Sequence, residues 1–89
     1  MSETVLVLGV GAVAGVGAAV ARKFSGVGYH VTIAGRTLEK LDATAADISA
    51  AGVSIECIVA DVTSQDDQHR VFKTVRARSE PLSAVIYNA

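Results

Sequence analysis

The stretch VLVLGVGAVAGVGAAVARKF, residues 5–24, decides the fold. Val5 to Leu8 is a continuous apolar run, long enough for a strand and too short for a helix. A glycine-rich segment, Gly9 to Gly17, follows it at once. The chain then turns Ala- and Val-rich, with Val16, Ala19, Val20 and Phe24 at helical spacing and Gly26 and Gly28 placed to end the helix. A strand that runs through such a turn directly into a helix carries the helix's unpaired amides to one edge of a sheet. Those amides, with the positive end of the helix dipole behind them, make a seat for anionic oxygens.

Downstream the alternation repeats. Tyr29 to Ala34 is rich in β-branched residues and reads as a second strand. Thr37 is an N-cap candidate for an amphipathic helix marked by Leu38, Leu41, Ala45 and Ile48 and closed by Gly52. Val53 to Ala60 is a third strand, and Ser64 with Asp67 forms a capping-box pattern ahead of a helix with Val71, Phe72 and Val75 on one side. Pro81 marks the exit from that helix, and Leu82 to Tyr87 is a fourth strand. The expected fold is α/β, βαβαβαβ, a doubly wound parallel sheet with right-handed crossovers and strand order 3-2-1-4. Residues 1–89 then form one partial domain, whose fourth strand is an open edge. An unpaired, uncharged edge of Val85, Ile86 and Tyr87 invites association, so a homo-oligomer is expected.

Composition narrows the classes. With 51% apolar residues and a mean hydropathy of +0.42 the chain is unusually apolar, yet no run approaches the ~18 apolar residues that cross a bilayer. Strands covered by helices on both faces account for the excess, because they read as near-continuous Val/Ile/Leu runs. A net charge of −1, with no basic cluster beyond Arg70 to Arg78, leaves no electrostatic footprint for nucleic acid. Met1 to Thr4 lacks a charged leader region, so no signal peptide is expected and the cytoplasm is the default location. The single cysteine, Cys57, has no second thiol to pair with and lies in an apolar run, which marks it as a buried small hydrophobe. No metal site is expected.

A dinucleotide pyrophosphate needs a tight strand-to-helix turn with little side chain, and two glycine registers offer one. Gly9, Gly11 and Ala14 fit the G-x-G-x-x-G/A fingerprint of Rossmann folds. Gly11, Gly15 and Gly17 give a second spacing, in the run Gly11-Ala12-Val13-Ala14-Gly15-Val16-Gly17. This run resembles the T-G-x-x-x-G-x-G turn of the short-chain dehydrogenase/reductase family, with Val10 standing for the usual Thr. The hydrogen bond of that hydroxyl is therefore absent or replaced.

The resemblance extends along the chain and implies an NAD(P) cofactor. Arg36 follows Gly35 at the end of the second strand, where NAD-preferring members of the family commonly carry Asp. Without a carboxylate for the ribose hydroxyls, Arg36 is the expected ligand of a 2′-phosphate, and Thr37 adds a hydroxyl or its amide. NADP is thus favoured over NAD, although Ala14 occupies the place where many NADPH-preferring members have a second basic residue. Asp61-Val62 is similar to the family's Asp-Val pair, in which the carboxylate accepts from the adenine amino group and the next residue meets the ring. Asp61 is equally suited to capping the following turn. Asn88-Ala89 resembles the start of the family's N-A-G segment, in which Asn holds neighbouring strands together and the small residues border the adenosine ribose.

Members of the family move hydride between nicotinamide and a carbonyl or alcohol, using a Ser and a Tyr-x-x-x-Lys that follow the N-A-G segment. The present sequence contains no Tyr-x-x-x-Lys, so no catalytic residue is assigned. His30 and His69 read as structural, and Ser25, Ser49, Ser64 and Ser83 have no base at recognisable spacing. The resemblance implies the cofactor-binding portion of a dehydrogenase acting on a small carbonyl or alcohol. The alternative is a stand-alone nucleotide-binding or interaction module.

Overall fold

A computed structural model describes residues 3–11, 15–49, 55–77 and 81–88. Among the described residues seven elements follow one another: β1 (Thr4–Leu8), α1 (Val16–Gly26), β2 (His30–Gly35), α2 (Leu38–Ser49), β3 (Ile55–Val59), α3 (Gln65–Arg76) and β4 (Leu82–Tyr87). All pairings are parallel, in the order β3-β2-β1-β4 expected of the alternating pattern. Gly52 and the beginning of the expected third strand, Val53 and Ser54, lie outside the described residues.

The central strand β1 is buried along its whole length, which is why it reads as an unbroken apolar run. Its side chains feed two cores. Val5 and Val7 join Val31, Ile33, Leu41 and Ile48 beneath α1 and α2, while Leu6 and Leu8 join Ala34, Ile58, Val71 and Val75 beneath α3. At the edge, β4 alternates half-buried and exposed, leaving Val85 and Tyr87 open to solvent.

Helix α1 turns a different side to the sheet from the one the periodicity picks. Gly17, Ala18, Ala21 and Ser25 are buried, Val20 and Phe24 pack only at the margin, and Ala19 and Val16 are exposed, Val16 by 68%. The cause is close approach. A Cβ at Gly17 would lie 3.2 Å from the Gly9 carbonyl oxygen and 3.2 Å from Val10 Cα, so only small residues fit beneath the helix. The helix ends on Val27, and Gly28 reverses the chain at a φ of +100°, which glycine adopts without strain. Helix α2 behaves as expected at Leu41 and Ile48, but Leu38 sits on the exposed first turn and Thr44 takes the buried place between them.

Helix α3 starts as its capping pattern predicts, with one correction. Ser64 Oγ accepts the Asp67 amide at 3.3 Å, but the Asp67 carboxylate does not return to Ser64. It accepts the Asp61 amide instead, at 2.7 Å, because the Ser64 amide is already taken by the Asp61 carbonyl at 3.0 Å. The helix is thereby tied to the loop leaving β3.

Candidate functional site

At the C-terminal ends of the strands, the turn after β1, the start of α2, the loop after β3 and the end of β4 enclose a cleft of about 350 Å³. Its walls carry Gly9, Val10, Gly11, Gly35, Arg36, Thr37, Lys40, Ala60, Asp61, Val62, Thr63, Tyr87 and Asn88. This is the edge at which open α/β sheets bind ligands, where the strand order reverses around β1. A larger hollow, about 830 Å³, lies over α3, its described lining residues all falling between Gln68 and Ala77. It is remote from the glycine turn, so size is no guide to the site.

The glycine turn is held by backbone. Gly9 and Val10 both donate their amides to the Ala34 carbonyl at 2.9 Å, and Asn88 Nδ2 donates to the Gly9 carbonyl at 3.2 Å. Val10, in the position of the family's usual threonine, makes no side-chain hydrogen bond; it is buried against the core beneath α1 and α2. Gly9 has a φ of +89°, and a Cβ there would collide with the Asn88 carbonyl oxygen. Gly11 is the opposite case, since a Cβ would meet no described atom within 4 Å. Gly15 is the N-cap of α1, and Val16 and Gly17 form its first turn, so the expected amides do stand at a helix N-terminus. Val13, Ala14 and Ala89 lie outside the described residues.

Gly35 is locked. A Cβ at that position would run into the carbonyl oxygen of Val10 and come within 3.2 Å of Leu41 Cδ2. A residue with a side chain at this position would have to displace one of these two neighbours. Arg36 and Thr37 follow, both exposed, and the Thr37 carbonyl starts α2 by accepting the Leu41 amide at 3.1 Å.

On the opposite wall, Asp61 Oδ1 accepts from the Thr63 amide at 3.0 Å and from Thr63 Oγ1 at 2.6 Å. These two bonds hold its carboxyl below the ordinary value of 3.8; desolvation opposes them, and the charge of Arg36 adds a lesser lowering. The turn-capping role foreseen for Asp61 is thus present. The neighbouring Val62 carbonyl accepts from Gln68 Nε2 of α3 and from Tyr87 OH of β4. Asn88 donates its amide to the Leu8 carbonyl at 2.9 Å and its side chain to Gly9, joining the ends of β4 and β1.

The fold thus gathers Gly11, Arg36, Thr37, Asp61, Val62 and Asn88 around one cleft. It also brings there Gly9, the first glycine of the alternative fingerprint register, and Gly35, Thr63, Tyr87 and Lys40, to which the sequence reading assigned no ligand role. Among the described residues no group of His, Cys, Asp or Glu is placed to hold a metal ion, and no helix is long and apolar enough to cross a membrane.

A parallel α/β sheet with a glycine turn at its switch point defines a nucleotide-binding Rossmann architecture. The short-chain dehydrogenase family model matches residues 3–89, and the chain belongs to that family. Mouse (Mus musculus) dehydrogenase/reductase SDR family member 4 is 28% identical over 75 residues, which cover 84% of this chain and 27% of the mouse protein. A variant of actinorhodin polyketide ketoreductase solved with NADPH is similar with a TM-score of 0.87 and 30% identity, over 99% of this chain and 33% of that one. A metagenomic short-chain oxidoreductase in complex with NADP gives 0.88 and 31%, over 100% and 40%. The chain therefore spans well under half the length of these relatives.

Proposed function

We propose that this chain is the cofactor-binding portion of a cytoplasmic NADP(H)-dependent oxidoreductase that moves hydride between nicotinamide and a small carbonyl or alcohol. The observation that carries the reading is the pairing of Gly35 with Arg36 on the cleft wall. A ribose hydroxyl pair would call for a carboxylate at the end of β2, and the packing against Val10 leaves no room for one. A guanidinium in the next position suits a 2′-phosphate, offering forked, charge-assisted donors.

The other roles follow from position. Gly11, Val13, Ala14, Gly15, Val16 and Gly17 would carry the pyrophosphate, with Thr37 joining Arg36 at the 2′-phosphate. Asp61 and Val62 would meet the adenine, and Asn88 and Ala89 would border the ribose. The cleft's ~350 Å³ lies at the low end of small-molecule sites, ~300–1,000 Å³, which fits the adenosine half of a dinucleotide. Bound there, the cofactor supplies the hydride chemistry, and these residues orient it. The finding of NADPH and NADP in two similar structures supports the same reading. Self-association through β4 belongs to it, and a chain with one unpaired thiol suits a reducing compartment.

Titration of the chain with NADP⁺ and NAD⁺ tests the proposal. Gly15→Val should abolish binding of both, by crowding the α1 N-terminus. Arg36→Ala should weaken NADP⁺ about 10-fold or more, as expected for a charge-assisted hydrogen bond, and leave NAD⁺ nearly unchanged. Equal losses for the two cofactors would refute the assignment of Arg36.

A further inference from the structure

The cleft holds a second cation. We propose that Lys40 is a further ligand of the adenosine 2′-phosphate, so that preference for the phosphorylated cofactor rests on two side chains; this deepens the reading above and depends on it.

Lys40 lies in the first turn of α2, three residues after Thr37. Helical side chains lean toward the helix N-terminus, so its stem runs back toward Thr37 and the cleft, whose wall it shares with Arg36. Charge is sorted along this short segment. Arg36 and Lys40 line the cleft, and Glu39, between them in sequence, does not.

Among the described residues neither cation is held in an ion pair, whereas Arg22 is paired with Asp47 at 2.8 Å and Arg70 with Asp67 at 3.6 Å. Among the described residues of the cleft wall the one carboxylate is that of Asp61, which is bound twice by Thr63 and is influenced by Arg36 only through space. The wall is thus left with more positive than negative charge. A phosphate monoester carries about −1.5 to −2 charge at neutral pH, so a single guanidinium leaves it partly uncompensated and a second cation completes the match.

The test is calorimetric titration of the chain with 2′,5′-ADP and with 5′-AMP, which differ only in the phosphate at issue. Lys40→Gln changes an exposed residue at little cost in helix propensity, so the variant folds as the parent does. It should weaken 2′,5′-ADP about 3- to 10-fold, the range of a solvent-exposed charge-assisted contact, and leave 5′-AMP unchanged. The salt dependence of 2′,5′-ADP binding should also become shallower. If Arg36→Ala abolishes the preference for 2′,5′-ADP and Lys40→Gln leaves it intact, the Lys40 assignment is overturned and the 2′-phosphate reading stands. If the parent chain shows no preference for 2′,5′-ADP, or Arg36→Ala leaves it unaltered, both are overturned.

Discussion

Replacing Gly35 by alanine adds a single methyl group, and the structure places it against two neighbours that cannot easily yield. One is the carbonyl oxygen of Val10, a backbone atom of the turn whose amides at Gly9 and Val10 both donate to Ala34 at 2.9 Å. The other is Leu41 Cδ2, 3.2 Å away on a side chain with no solvent exposure. Relieving the collision requires moving the turn off Ala34 or displacing Leu41 from its core. Overpacking of this kind costs about 1–3 kcal/mol and loss of a buried backbone hydrogen bond about 0.5–1.5 kcal/mol, together about 2–4 kcal/mol. For a domain of this size the corresponding fall in Tm is about 8–30 °C. Thermal unfolding followed by circular dichroism measures it, with Arg36→Ala, an exposed neighbour, as the control that should barely move. The same collision predicts that Gly35→Asp, the obvious substitution for accepting NAD⁺, disrupts the chain, whereas Arg36→Asp brings a carboxylate to the cleft without crowding and shifts preference toward NAD⁺. A Gly35→Ala chain as stable as the parent would refute the steric argument.

Other consequences can be measured independently. The Asp61 carboxyl is held below 3.8 by Thr63, so its contribution to stability is present above that pH and lost as the pH falls through the lower folded value; NMR titration should show the depressed pKa moving back up in Thr63→Ala, and an unchanged value would remove Thr63 as its cause. Burial, with the Asp42 charge adding to it, pushes the Cys57 thiol above its ordinary value of 9.0, so a thiol reagent should label it more slowly than free cysteine at neutral pH and faster in Asp42→Asn. Labelling at the rate of a free thiol would contradict this. Val85 and Tyr87 are 41% and 49% exposed on the edge strand, and light scattering should find the chain self-associated and the double variant Val85→Lys, Tyr87→Lys monomeric. A monomeric parent chain would count against the edge as an interface.

Much of the architecture was legible because each element carries its own local pattern: an unbroken apolar run at Val5 to Leu8, β-branched residues from Tyr29, and a helical repeat through Leu41 and Ile48. Parallel order then followed from the alternation of strand and helix. The inward side of α1 was not legible in this way. Apolar spacing favours large residues such as Val16, whereas the approach of the helix to Gly9 and Val10 admits only small ones. At the cleft, Arg36, Thr37, Asp61 and Asn88 were singled out through the family resemblance, and each follows a strand at its C-terminal end, where the cleft lies. The parts played by Gly35 and Thr63 were harder to see, since they depend on which backbone crosses their path or which carboxylate turns toward them. Lys40 left a faint signal, a basic residue three positions after an N-cap, which becomes informative only once the helix start is known to face the cleft. The bond from Asp67 to Asp61 spans six residues and breaks the familiar three-residue rule, because a carbonyl had already claimed the Ser64 amide.

The loop from Asp61 to Thr63 is fastened from several directions at once. Asp67 and Gln68 of α3 hold its first two residues, Tyr87 reaches Val62 from β4, and Asp61 and Thr63 brace each other. These anchors come from two elements that both follow the loop in sequence, so this wall takes shape only when α3 and β4 are both docked. The conformational entropy of shaping it is then spent during folding, and a ligand arriving there meets a surface with little left to order. Binding and the docking of α3 become thermodynamically linked through this loop. An occupant of the cleft should slow hydrogen exchange in the first turn of α3, although that helix does not border the cleft.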